Sequence, residues 1–327
     1  MKSLLCTLIL TSNAFTVIGQ DPDSGHAYHK GNVMGSSLEI EIFGVDQETC
    51  DRALKDALQE INRIDRMMTD WKAESPLMNI NHNAGKKPVS VPDDLYLLIE
   101  RSVQLSRLTE GAFDITFAGA GKLWNWRAPS PEIPEPGVVQ KALQNVGWDG
   151  IQLNKPEKSV FLKNPGMRIG LGAIAPGYAG DRAIRKIRSH GIRNAMVNMS
   201  GEILAIGLKN GETWKIGIRH PRKEDENIAM IPLSNLAIAT SGDYERYFIK
   251  NGKRYCHIID PRTGYPANLC QSVTITAPHM VVADALSTAV FVLGPEKGMA
   301  LIEKMEGVEG MIVDTSGNVH VSPGLKK

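Results

Sequence analysis

Residues 36 to 43, SSLEIEIF, alternate apolar and polar side chains, the pattern of a strand with one face in the core and one in water. Asp46 then stands where a helix cap belongs, and Cys50, Leu54, Ala57, Leu58, Ile61 and Ile64 recur at helical spacing. Asp51, Lys55, Asp56, Glu60 and Arg63 fall on the opposite face, so the segment predicts an amphipathic helix laid on a sheet with those charges in water. A second such helix is predicted from just after Pro92 to about Arg107, stopped by Thr109, Glu110 and Gly111 and followed by a strand-like AFDIT. Between the two, residues 68 to 81 (MTDWKAESPLMNIN) are too polar for core and too rich in Trp and Ser for a plain linker. Farther on, IQL, SVFL and RIGL predict short strands, Tyr178 to Ser189 a helix, and NAMVNM, EILAIGL and WKIGI three more strands. The order does not repeat the strand-helix-strand unit of doubly wound folds, so it predicts an α+β fold, not a parallel α/β sheet.

Two stretches break the pattern. Residues 1 to 19 carry Lys2, the apolar run LLCTLIL and small residues ending at Gly19, which reads as a secretory leader cleaved near Gln20. Export would place the mature chain, residues 20 to 327, in the periplasm of an organism that has one. Residues 127 to 137, RAPSPEIPEPG, hold four prolines and predict an exposed excursion, a lid or a lobe boundary, before a short helix at VVQKALQNV. No apolar run after the leader is expected to cross a membrane. The 37 basic residues balance 36 acidic ones, which gives no sign of the basic stripe that nucleic-acid binders carry. With 42% hydrophobic residues spread evenly, the mature chain can bury one large core or two fused lobes. Removal of the leader leaves Cys50, Cys256 and Cys270, an odd number; Cys256 and Cys270 could pair across the loop between them, or all three could be buried thiols.

The candidate chemistry gathers between residues 257 and 288. In HIIDPRTGYP, the side chains of His257, Asp260 and Arg262 sit beside Pro261, Gly264 and Pro266, which make a tight loop. Asp284 and Thr288 fall four apart on the helix predicted at ADALSTA, so a carboxylate and a hydroxyl share one face a turn apart. Such oxygen donors suit Mg2+, which takes one or two protein ligands and fills its other positions with water and phosphate; a plain cap and turn is the other reading. Residues 170 to 177, GLGAIAPG, lie where a phosphate-cradling loop belongs, between a strand-like run and a helix. They lack the third glycine of a dinucleotide fingerprint, and Tyr178 stands where a P-loop has its lysine. Close approach of backbone to a pyrophosphate or metal remains open, and so does a tight crossing packed on a neighbouring element.

Taken together, NVMGSSLEIEIFG, MTDWKAESPLMNIN, LTEGAFDIT, GLGAIAPGYAGD, VNMSGEILAIG, IATSGDYERYF, HIIDPRTGYP and ADALSTAVFVLG resemble, in that order, the ApbE-type FAD:protein FMN transferases. The resemblance implies mixed, largely antiparallel sheets with packed helices in a two-lobed arrangement. It also implies Mg2+ and FAD, with FMN moved onto a Thr or Ser hydroxyl of an exported acceptor protein and AMP released. By position it implies metal binding by Asp284, Thr288 and the Ala173 carbonyl, and a place beside the reacting phosphate for His257. Met34 and Trp71 match positions lining the flavin, and Asp114, Ser241 and Asp243 fall in segments bordering the FAD pocket. The chain departs from the family at Gly170, where an Asp is usual, at Pro176, where a Lys is usual, and at Ser200, the first of a usual glycine pair. Those departures keep two alternatives in view: an FAD-binding carrier, and an FAD pyrophosphatase yielding FMN and AMP.

Overall fold

The computed structural model describes residues 25–44, 46–126 and 128–326. The leader-like residues 1–19 lie outside the described residues, as does Arg127 at the head of the proline-rich stretch. The chain runs β1 (Gly25–Val33), β2 (Ser36–Gly44), α1 (Gln47–Met68), α2 (Pro76–His82), β3 (Val89–Ser90) and α3 (Asp93–Leu108). Two short helices, α4 (Ala118–Gly121) and α5 (Pro136–Leu143), precede β4 (Ile151–Asn154) and β5 (Ser159–Leu162). Helix α6 (Ala175–Ser189) leads into β6 (Asn194–Met199), β7 (Glu202–Ile206), β8 (Trp214–Arg219), β9 (Asn227–Leu233) and β10 (Leu236–Gly242). The hairpin β11 (Tyr247–Lys250) and β12 (Lys253–Cys256) is followed by β13 (Cys270–Ala277), α7 (Met280–Ile302), β14 (Glu309–Asp314) and β15 (Val319–Val321).

Eight strands make one sheet in the order β1-β2-β6-β7-β10-β13-β14-β15, every neighbour antiparallel, so the α+β expectation holds. Alternation sorts the two faces. Leu38, Ile40, Ile42, Val197, Leu204, Ala239 and Ile275 join the main core beneath α1, α6 and α7. Their neighbours Met196, Ile203, Ala205, Ile238 and Met311 form a second core with Trp214, Ile218 and Leu233 of the β8-β9 ribbon. The small sheet β3-β5-β4 and helices α2 and α3 share the main core through Leu77, Leu95, Ile99 and Val160.

Helix α1 begins as the sequence predicts: the Asp46 carboxylate accepts from the Thr49 N–H at 2.7 Å and satisfies an otherwise unpaired first-turn donor. Glu60 corrects the expectation of a wet face, because it is only 6% exposed. It is buried with its partners, accepting from Arg63 at 2.9 Å and from Arg182 of α6 at 2.8 Å. AFDIT is not a strand. The Asp114 carboxylate accepts from the Thr116 N–H at 2.8 Å and caps a tight helical turn, Ile115–Phe117, in its place. RIGL is not a strand either: Asn81 takes both the N–H and the carbonyl of Ile169, at 2.8 and 3.0 Å, as a neighbouring strand would. Helix α6 starts three residues before the predicted Tyr178, with Pro176 in its first turn, where a missing N–H costs nothing.

By length and composition α7 could cross a membrane, contrary to expectation. Here it is a core helix: most of its residues are buried, and Gly294, at φ 82°, interrupts it before Pro295.

Candidate active site

Strand register collects the candidate residues at one end of the large sheet. Leu38 pairs with Met199, Met199 with Glu202, Ile203 with Ile238 and Ser241 with Val273. The Met34-Gly35 turn, the Ser200-Gly201 turn, Glu202, Ser241 and Asp243 therefore lie at the same edge. Met34 and Gly35 have φ of 54° and 72°, the left-handed pair of a two-residue hairpin, and half-buried Met34 packs on the core. Ser200 is also left-handed, at φ 59°, and its hydroxyl accepts from the Ser37 N–H at 3.0 Å, which joins the two turns.

Helices α6 and α7 pack closely together over the sheet. A Cβ on Gly177 would stand 2.6 Å from the Met280 carbonyl oxygen and 2.8 Å from the Asp284 Cβ, so only glycine fits there. The Gly177 N–H donates to Asp284 Oδ2 at 2.8 Å, and the Asp181 carboxylate accepts from the Met280 and Val281 N–H groups at 2.9 and 3.0 Å, capping α7 from α6. The tight-crossing reading of the glycine loop thus describes Gly177. Gly172, in contrast, is exposed with nothing near its Cβ position, and half-buried Ala173 follows it.

Asp284 is 4% exposed, and burial raises its carboxyl above the ordinary range, with the Asp181 charge adding to the rise. Glu202, which opens β7, is raised by burial and then by the Asp284 charge. Neither acid has a salt-bridge partner among the described residues. A turn along α7, Thr288 Oγ1 lies 3.4 Å from Ser241 Oγ, which also bonds Ser287 Oγ at 2.8 Å. These are hard oxygen atoms, and a pair of acids that burial keeps from ionising alone is a fitting berth for a divalent cation. No cluster of three or more His, Cys, Asp or Glu suited to a metal occurs among the described residues, so a cation here would draw on hydroxyl and carbonyl oxygens as well.

His257 follows β12 directly. Burial, with the nearby Arg246 charge, pushes its imidazole down to about 4, so it is neutral at physiological pH. Its N–H donates to the Arg246 carbonyl at 2.9 Å, while the buried Nδ1 has no hydrogen-bond partner. The loop after it is rigid, as predicted: Arg262 grips Asp260 through Nε and Nη2, each at 2.8 Å, and Trp124 Nε1 donates to the Gly264 carbonyl at 2.9 Å. Trp124 also stacks with Trp126, Phe248 and Tyr255, which fixes the hairpin beneath His257.

The other candidates have different settings. Trp71 is 61% exposed, leaving its indole open to a flat ring. The Asp114 carboxylate is occupied by Thr116 and by the Trp148 N–H at 2.8 Å, and that of Asp243 by Arg222 at 2.6 and 2.7 Å. Cys50, Cys256 and Cys270 are buried free thiols; burial pushes Cys256 up to about 11. Two surface clefts, of about 430 and 520 Å3, contain none of the candidate residues. Glu202 and Arg246 were not singled out from the sequence, since only folding brings their segments to Asp284 and His257.

The sequence profile of the ApbE family matches residues 34–312. The chain belongs to the ApbE family. Relatives named FAD:protein FMN transferase include one from Treponema pallidum, 34% identical over 290 residues, covering 84% of this chain and 80% of that protein. One from Klebsiella pneumoniae is 32% identical over 292 residues, covering 89% and 90%. Among solved structures, the ApbE protein of Thermotoga maritima superposes with a TM-score of 0.84 at 33% identity, over 92% of this chain and 98% of that one. The flavin transferase ApbE of Vibrio cholerae gives 0.81 at 28% identity, over 93% and 99%. Within the ApbE frame the three departures are local: Gly170 lies against Ala118, Pro176 sits in the first turn of α6, and Ser200 replaces backbone freedom with a hydroxyl bond.

Proposed function

We infer that this chain is an FAD:protein FMN transferase, and we propose that it moves the FMN half of FAD, with Mg2+, onto a Thr or Ser hydroxyl of an exported acceptor protein. The acceptor oxygen forms a bond to the FMN phosphorus, the bond from that phosphorus to the AMP oxygen breaks, and AMP leaves. The observation that carries the reading is the acid pair of half-buried Glu202 and buried Asp284, without a salt-bridge partner among the described residues, beside which the fold sets a neutral histidine.

Asp284, Thr288 and the Ala173 carbonyl would hold the cation, which supplies charge neutralisation at the pyrophosphate. The chain's own groups do the rest. Gly177 fixes the Asp284 carboxylate by a hydrogen bond, and Ser241 sets the Thr288 hydroxyl. His257, neutral at physiological pH, takes the proton of the attacking hydroxyl. Met34 and the open face of Trp71 receive the isoalloxazine ring. Asp114 and Asp243 act one step back, as the pins of the segments that carry the pocket wall. Export of the chain itself rests on the leader-like residues 1–19.

The test is incubation of the protein with FAD, Mg2+ and an acceptor protein, followed by mass analysis of the denatured acceptor. An added FMN group is the expected result. Free FMN and AMP without labelled acceptor would make the protein a pyrophosphatase, and intact bound FAD would make it a carrier.

A further inference from the structure

Arg246 has no place in the reading above, yet the fold sets it beside the reacting groups. Strands β11 and β12 pair with Tyr247 opposite Cys256 and Phe248 opposite Tyr255, so the next pair toward the site is Arg246 opposite His257. The His257 N–H bond to the Arg246 carbonyl, at 2.9 Å, confirms that the pairing continues. Directly opposed residues of an antiparallel ladder put their side chains on one face, with Cβ atoms roughly 4.5–5.5 Å apart. The guanidinium and the imidazole therefore emerge side by side.

Nearby arginines are engaged: Arg219 with Glu245, Arg222 with Asp243, and Arg254 with Asp243 and the Tyr247 ring. Arg246 is exposed and makes no ion pair or side-chain hydrogen bond with any of the described residues. Its charge is felt by both His257 and Glu202, in keeping with the strand pairing that sets it opposite the histidine. The glycine loop GLGAIAPG contains no Lys or Arg.

We propose that Arg246 is a phosphate-binding residue, its guanidinium gripping the FAD pyrophosphate through two oxygens on the side of His257. A planar fork with a fixed charge suits that role, because it holds a phosphate in one orientation while the adjacent imidazole handles a proton. The proposal rests on the transferase reading for its ligand. The competing role is structural, with Arg246 only offsetting the charge of Glu202.

The experiment compares the wild type with Arg246→Gln and Arg246→Lys for FAD and ADP affinity, read by flavin quenching and by competition, with a thermal melt of each. Loss of a charge-assisted phosphate contact predicts FAD and ADP binding about 10- to 100-fold weaker in Arg246→Gln. The melt should be unchanged, and Arg246→Lys should recover part of the affinity. Unchanged FAD affinity in Arg246→Gln would overturn the proposal. So would a loss accompanied by a lower melting temperature and not rescued by lysine. Transfer by the wild type is measured alongside, so that a failure of the transferase reading shows separately from a failure of this contact.

Discussion

Two acid pairs in this molecule, each with one buried and one half-buried member, meet opposite fates. Glu60 and Asp94 lie where α1, α3 and α6 meet, and each is gripped by Arg63 and Arg182, with Tyr178 donating to Asp94 as well. The Arg63 hydrogen bond lowers Glu60; burial alone would raise Asp94, but the bonds from Tyr178 and Arg63 outweigh it and bring it down. Glu202 and Asp284 have no such arginines and are both raised. A carboxylate that the fold neutralises from within holds helices together. One that the fold isolates can take its countercharge from a ligand, and that difference, more than burial itself, separates scaffold from site.

The comparison breaks first at Asp284. Asp284→Asn keeps an acceptor for the Gly177 N–H but removes the charge, so FMN transfer should fall by at least ~100-fold, comparable to losing a metal-site group. Its thermal melt should stay level or rise, because a costly buried charge is gone. A variant that transfers FMN at near the wild-type rate would show that the isolated acid is ornamental.

Asp94→Asn should do the reverse. Breaking a fully buried pair costs roughly 3–5 kcal/mol. Because Arg63 is 39% exposed and partly screened by water, we expect about 2 kcal/mol, read from urea unfolding, with transfer preserved under folding conditions. The sign with pH follows. Glu60 and Asp94 are depressed, so their stabilising contribution is complete above their unfolded values near ~4 and is lost as pH falls through the folded ones.

The smallest effect is a shift in the pH profile of transfer. His257, pushed down to about 4, is a competent base throughout pH 5.5–8, so at saturating Mg2+ no limb should appear at the ordinary histidine value of about 6.5. At limiting Mg2+ an acid limb should move upward, since protons and cation compete for the raised acids. A profile indifferent to Mg2+ would remove the acids from the site.

Much of the scaffold could be read from the chain, because α1, α3 and most of the strands obey their periodicities. Failures came where one side chain outbid the backbone ladder, as Asp114 did at AFDIT and Asn81 did at RIGL. Glu60 misled for a related reason, since a helical wheel shows which face a charge occupies but not that an arginine from α6 will cover it. Asp284, Thr288 and His257 stood out as candidates through spacing and loop chemistry. Glu202 and Arg246 were not, because their meaning lies in what stands across from them, and sequence separation conceals that.

The α6-α7 crossing has a kinetic consequence. Gly177 and Asp181 tie the segment after Ala173 to the helix bearing Asp284 and Thr288, although about a hundred residues separate them along the chain. The two segments proposed to hold the cation are therefore joined when the protein folds, and a cation bound there would have no distant pieces to draw together. Its capture should run at the pace of shedding its own water shell, independent of any rearrangement of the protein.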